Sequence, residues 1–210
     1  MTLLVAAGYS ICGVSAIAAV NGSIEADEDH VAVSVALVTL FGTFAMVVLP
    51  AAGLALGLEN HDLGSWIGAS THDVGQVVAA GSTVGAVAAS TAMIVKLTRV
   101  ALLAPLVAVV AWRHRRHAST GENRQRPPLV PLFVAGFLGT MLIRSTGFLD
   151  DRALDAIGHV ERGLLVSAMF ALGAGVDLRR IRSLGHRPLL LGAIAWTVVA
   201  GVSLGTTLAW

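Results

Sequence analysis

The stretch Gly68-Ala69-Ser70-Thr71-His72-Asp73-Val74-Gly75-Gln76 sets hydroxyls, an imidazole, a carboxylate and a carboxamide into otherwise apolar surroundings. Ser70 followed three residues later by Asp73 resembles a capping pair and predicts a helix start at about Thr71. At a membrane surface this is simply a capped helix. Inside the membrane, the free N–H groups and the positive dipole end would face a cavity suited to an anion. Polar clusters within a membrane are costly unless they are used, which favours the second reading. Ser10-Ile11-Cys12-Gly13-Val14-Ser15 shares the pattern S-x-x-G-x-S with Ser65-Trp66-Ile67-Gly68-Ala69-Ser70. Two interrupted helices are therefore expected, although so short a pattern also arises from a Gly/Ala/Ser-rich composition.

The candidate solute-binding set is Ser10, Gly13, Ser15, Gly68, Ser70, Thr71, Gln76, Lys96 and Arg99, with His72 and Asp73 as a proton-coupling pair. Lys96 and Arg99, three apart, share a helix face. They either snorkel to a nearby interface, form a cationic wall of the cavity, or pair with Asp73. Arg144 reads as an interfacial anchor and Asp177 as a helix-end residue. No histidine follows His72 at i+4, so a zinc-protease pattern fails and no metal is expected. Neither a G-x-S-x-G elbow nor a G-x-x-x-x-G-K-[ST] loop occurs, which removes the commonest hydrolase and ATPase signatures. The chain is not expected to be an enzyme or to carry a cofactor.

These residues must be held by membrane helices. Of the 210 residues 55% are hydrophobic and 13% charged, against about 25% charged in soluble domains. Charge-free stretches at 1–24, 31–58, 74–95 and 188–210 are each long enough to cross about 30 Å of hydrocarbon. The 23 glycines and 5% aromatic content suit close helix packing through small residues. A net charge of +1 with basic residues confined between apolar segments gives no nucleic-acid surface. The single cysteine, Cys12, excludes intramolecular disulfides.

The expected fold is all-α and integral to the membrane, a single transmembrane domain over 1–210 with about six to seven helices, some interrupted or re-entrant. The segments are Thr2–Val20 with a break near Gly13, His30–Leu58 with Pro50 kinking or ending it, and Leu63–Gly81, re-entrant or discontinuous. Ala86–Trp112, Leu129–Gly147, a surface helix over 150–162, a half-helix Gly163–Val176 and a last span Pro188–Trp210 follow. Residues 113–128 read as a linker. Nine of the fourteen Lys and Arg lie in 113–126 and 179–187, so both loops are expected to be cytoplasmic.

The runs SICGVSAIAAV (10–20), DEDHVAVSVALVTLFGTFAMVVLP (27–50), GSWIGASTHDVGQVVAAG (64–81), IVKLTRVALLAP (94–105) and ALGAGVDLRRIRSLGHRPLLLG (171–192) resemble the YeiH-like bacterial inner-membrane proteins, often named sulfate exporters. The resemblance implies anion efflux by a secondary transporter, with helices similar to the inverted-repeat cation/proton antiporters and bile-acid symporters. It also implies several helices ahead of the SICG-like run, which points to a truncated or split version. A homo-oligomer, or a partner supplying those helices, is then expected beside the bilayer and a small anion. Asp73 stands where the family's S-I-H-E pattern has a longer acid, and Arg144 where an uncharged polar residue is usual. A non-transporting scaffold or regulatory subunit is the rival reading.

Overall fold

The computed structural model describes residues 1–117, 132–147, 149–174 and 185–209, and among them every regular element is a helix. In chain order these are α1 (Thr2–Ser10), α2 (Val14–Ile24), α3 (Glu28–Ala55), α4 (Asn60–Ser70), α5 (Val74–Val84), α6 (Ala86–Ala101) and α7 (Leu103–His117). They are followed by α8 (Leu132–Ser145), α9 (Asp151–Ala174) and α10 (His186–Leu208).

Among the described residues three stretches are long and apolar enough to span a bilayer: Glu28–Ala55, Ala86–His114 and His186–Leu208. Helix α3 shows how local chemistry sets such a span. Asp27 caps it, its carboxylate accepting from Asp29 N–H at 2.9 Å, and Glu28 and Asp29 complement the dipole in the first turn. The helix does not end at Pro50, which is buried within it, because a proline removes one backbone bond and the apolar packing around it holds the rest. It ends at a Schellman turn: Leu58 N–H donates to Gly53 O and Gly57 N–H to Leu54 O, with Gly57 at φ 70°.

Among the described residues the buried side chains form two clusters. One gathers Leu4, Tyr9, Ile17 and Val20 of α1 and α2 with Leu37 of α3 and Leu103 and Val107 of α7. The other gathers Leu63, Trp66 and Ile67 of α4 and Val77 and Ala80 of α5 with Ala45 and Leu49 of α3 and Ala92 of α6. Helix α3, the α6–α7 stretch and α10 run from one cluster to the other; Leu189 and Leu191 pack on the first and Leu204 on the second. The α1–α2 and α4–α5 pairs enter only one half each, apart from Val74 at a tip.

Each short pair is a hairpin that turns back rather than a broken rod. A Cβ on Gly8 would lie 3.0 Å from the end of Ile17, a contact that a straight run of nine residues, about 13 Å long, would forbid. Gly64 of α4 and Gly81 of α5 both lie against Ala88 of α6, so both arms of the second hairpin reach the same level. The expected interruptions at Gly13 and in 63–81 are thus present, and both are re-entrant. With arms of 9 to 11 residues, each hairpin covers about half the hydrocarbon thickness.

Several expected boundaries shift. The fourth segment divides at Leu102 into α6 and α7 and continues to His117, into the expected linker 113–128, whose remainder lies outside the described residues. The expected surface helix at 150–162 and half-helix at Gly163–Val176 are one helix, α9, since its acids and arginines interrupt hydropathy without interrupting backbone bonding. Asp177 and most of the second basic loop lie outside the described residues.

Candidate functional site

The two hairpin tips meet at the middle of the bundle. Helix α1 ends at Ser10, Ile11 to Gly13 form the turn, and α2 starts at Val14; Gly13 has φ 70° and ψ −125°, a conformation that only glycine adopts without strain. On the other hairpin α4 ends at Ser70, and Thr71 and Asp73 are extended. A Cβ built on Gly13 would sit 3.5 Å from the carbonyl carbon and oxygen of His72.

Helix α5 starts at Val74, not at about Thr71 as the Ser70–Asp73 spacing predicts. Asp73 is itself the cap. Its carboxylate accepts from Gly75 N–H at 2.9 Å, while Gln76 Oε1 accepts from Asp73 N–H at 3.3 Å, a reciprocal capping box. The spacing that matters is Asp73-x-x-Gln76. Ser70 instead closes α4, and its hydroxyl lies 2.6 Å from that of Ser203 on α10.

Lys96 and Arg99 project from α6 into the tips. The Lys96 ammonium donates to Thr71 O and, at 3.4 Å, to Ile11 O. Arg99 Nε donates to Ser10 O at 2.7 Å, one guanidinium arm to Tyr9 O at 2.7 Å and the other to Ala69 O. The accepting carbonyls are those of the last turns of α1 and α4 (Tyr9, Ser10, Ala69) and of the capping residues that follow them (Ile11, Thr71), which have no partner within those helices. Lys96 is 0% exposed, so snorkelling to an interface is ruled out. Both cations therefore stand against the negative ends of two helix dipoles. His61 and Asp62 form an exposed ion pair away from the tips; Asp73 is within electrostatic reach of Lys96 but not bonded to it.

His72 and Thr71 are fully buried. Thr71 Oγ1 and both ring nitrogens of His72 lack a hydrogen bond of standard geometry, although the Tyr9 carbonyl lies near the ring. The imidazole rests against the Tyr9 ring, centroids 4.1 Å apart. Buried polar atoms left unsatisfied are uncommon in native structures, and three of the four among the described residues, the other being Trp196 Nε1, gather at this junction.

The predicted residues divide accordingly. The structure brings Gly13, Thr71, His72, Asp73, Gln76, Lys96 and Arg99 together around the tips. Gly68 is buried one turn before the tip, where a Cβ would meet Ala92 Cα at 2.9 Å, so it serves close approach of α4 to α6. Ser10 bonds Ala6 O with its hydroxyl and contributes its carbonyl to Arg99, while Ser15 is exposed on α2. Arg144, near the end of α8, is exposed and apart from the tips. Tyr9 and Thr43 join the site unforeseen. Thr43 Oγ1 accepts from Gln76 Nε2 at 3.3 Å. A sole tyrosine beside a predicted break, and a hydroxyl inside a long apolar run, were the available signals. No group of three metal-ligating side chains forms among the described residues.

The comparisons with known proteins agree with this picture of a membrane protein. The model of the family described as conserved hypothetical protein 698 matches residues 1–192. A UPF0324 membrane protein of Corynebacterium glutamicum is 43% identical over 206 residues, covering 98% of this chain and 60% of its own length. One from Pseudomonas aeruginosa is 38% identical over 210 residues, covering 95% and 59%, and one from Pasteurella multocida 35% over 205, covering 94% and 60%. The chain thus spans about three fifths of the length of these relatives. No solved structure matches. With tip-to-tip hairpins inside an all-helical apolar bundle, and with this match over most of its length, the chain belongs to the conserved hypothetical protein 698 family of UPF0324 membrane proteins, the YeiH-like family that its motifs resemble.

Proposed function

We propose that this chain forms the core of a secondary transporter for a small anion, sulfate or a related sulfur-containing anion, in the bacterial cytoplasmic membrane. The observation that carries the reading is the pair of inward cations, Lys96 and Arg99, at the point where two re-entrant hairpins meet. Two full positive charges face two helix C-termini worth roughly half a negative charge each, and the N-termini of α2 and α5 return about as much positive charge. Asp73 supplies one negative charge. The junction therefore keeps a surplus of about one positive charge away from water, which a bound anion would neutralise.

The α5 N-terminus is occupied by its own Asp73, whereas α2 has no side-chain cap. An anion is thus favoured at the α2 side of the tips, beside the unsatisfied Thr71 and His72. We assign Asp73 to proton coupling, with His72 assisting proton exchange, and no covalent step to any residue. The decisive measurement is efflux of radiolabelled sulfate and thiosulfate from proteoliposomes, for this chain and for the longer Corynebacterium glutamicum relative. Anion-dependent, saturable flux in the relative supports the reading; absence of flux for every small anion tried in that longer protein would sink it.

A further inference from the structure

We infer that Lys96 and Arg99 are positioning residues, a two-cation clamp that fastens both hairpin tips to α6, rather than direct ligands of the transported anion. The geometry supports this on each residue. Every hydrogen bond that Lys96 and Arg99 make goes to a main-chain carbonyl, three on the α1–α2 hairpin (Tyr9, Ser10, Ile11) and two on the α4 arm (Ala69, Thr71). Each cation bridges both hairpins: Lys96 joins Ile11 to Thr71, and Arg99 joins Tyr9 and Ser10 to Ala69. The planar guanidinium holds three carbonyls from two helices at fixed angles, a task for which an ammonium is no substitute.

The consequence is mechanical. Either tip can leave its place only by giving up a charged hydrogen bond to α6, and the carbonyl so released would be unsatisfied in an apolar interior. Motion of one hairpin is thereby coupled to the other, although each enters from the opposite end of the bundle. On the transport reading the anion sits by Gly13 at the uncapped start of α2, next to the Thr71 hydroxyl and the His72 ring, whose polar atoms the carbonyl bonds of the clamp leave unused. This deepens the transporter reading and rests on it only for the anion's place.

Cys12 gives a native reporter, being the sole cysteine, 4% exposed and set within the α1–α2 tip. Its alkylation by N-ethylmaleimide in membranes should be slow in the unaltered protein. Lys96→Ala and Arg99→Ala should each speed it by about tenfold or more, the shift expected from losing a charged hydrogen bond. Lys96→Arg should return it toward the original rate, and Arg99→Lys should stay fast because the fork is lost. Gly68→Ala, which pushes α4 from α6, should also speed labelling of Cys12 across the junction, and should add nothing once both cations are removed. Should the alanine variants fail to fold, the Arg99→Lys rate decides alone. A slow, unaltered Cys12 rate in folded Arg99→Lys or in both alanine variants overturns the clamp. Because the readout needs no transported solute, that failure is distinct from an absence of anion flux.

Discussion

Gly13 and His72 lie back to back: a Cβ on Gly13 would reach within 3.5 Å of the His72 carbonyl and 3.1 Å of Val38. The contact joins the tips of hairpins that belong to different halves of the core, so the site is a backbone junction before it is a set of side chains. Gly13→Ala must adopt φ 70° and displace Val38. It is expected to destabilise the protein by about 1–3 kcal/mol, read as a lower thermal midpoint in detergent. Gly22→Ala, with open space at its Cβ position, should leave that midpoint unchanged or raised. Equal midpoints for the two variants would mean that Gly13 is not held at a positive φ against Val38.

Close packing of the second hairpin gives a separate test. A Cβ at Gly64 would lie 2.8 Å from Ala88 Cα, and one at Gly68 2.9 Å from Ala92 Cα; backbone on both sides leaves nothing flexible to yield. Gly68→Val is expected to cost several times more than Gly57→Ala, whose difficulty is its φ of 70° alone, about 1 kcal/mol. Chemical-denaturant or thermal unfolding in one detergent would rank them. A Gly68→Val variant as stable as Gly57→Ala would remove the argument for glycine-mediated docking of α4 on α6.

These contacts show why the sequence discloses some of the site and hides the rest. The breaks at Gly13 and near Asp73 are legible because glycine and a cap residue interrupt apolar runs, and interruption is a local property. That both pairs are hairpins is not local: it depends on Gly8 meeting Ile17 and on Gly64 and Gly81 sharing Ala88. Lys96 and Arg99 are visible as costly charges on one face. Their partners are not, because every partner is a main-chain carbonyl and carries no signature in residue type. The Ser70–Asp73 pair misplaces the helix start for a related reason. Serine and aspartate are both good caps, and only the tertiary contact of Ser70 with Ser203 decides which one performs the task.

Asp73 combines a structural and a proposed chemical role, and substitutions can separate them. Asn accepts a hydrogen bond at an N-cap about as well as Asp, so Asp73→Asn should fold normally, whereas Asp73→Ala should lose about 1 kcal/mol with its cap. On the transport reading, Asp73→Asn should bind anion yet lose the dependence of flux on external pH. Flux in proteoliposomes across a series of imposed pH gradients, using the longer relative with the equivalent change, checks this. An unchanged pH dependence would return the Asp73 stretch to a helix cap and nothing more.

The arrangement of the two halves fixes which ends of the helices share a side of the membrane. Leu3, Ile24, Arg113 and His114 line one cleft, so the open end of the α1–α2 hairpin and the end of α7 lie together. Leu189 near the start of α10 packs in the same half, and His186 and Arg187 open that helix. Glu59, at the cap of α4, and Val84, at the end of α5, lie at the other end. Basic residues flank the first end, and the positive-inside bias predicts that this end faces the cytoplasm. Single cysteines at Asn60, Ser82 and His114, in a Cys12→Ala background, test the whole scheme with one impermeant maleimide. Asn60→Cys and Ser82→Cys should both label from outside intact cells and His114→Cys only after permeabilisation. Labelling of Asn60→Cys and Ser82→Cys from opposite sides would make α4–α5 a through-going broken helix. Both labelling only from inside, with His114→Cys labelling from outside, would keep the hairpin and invert the orientation.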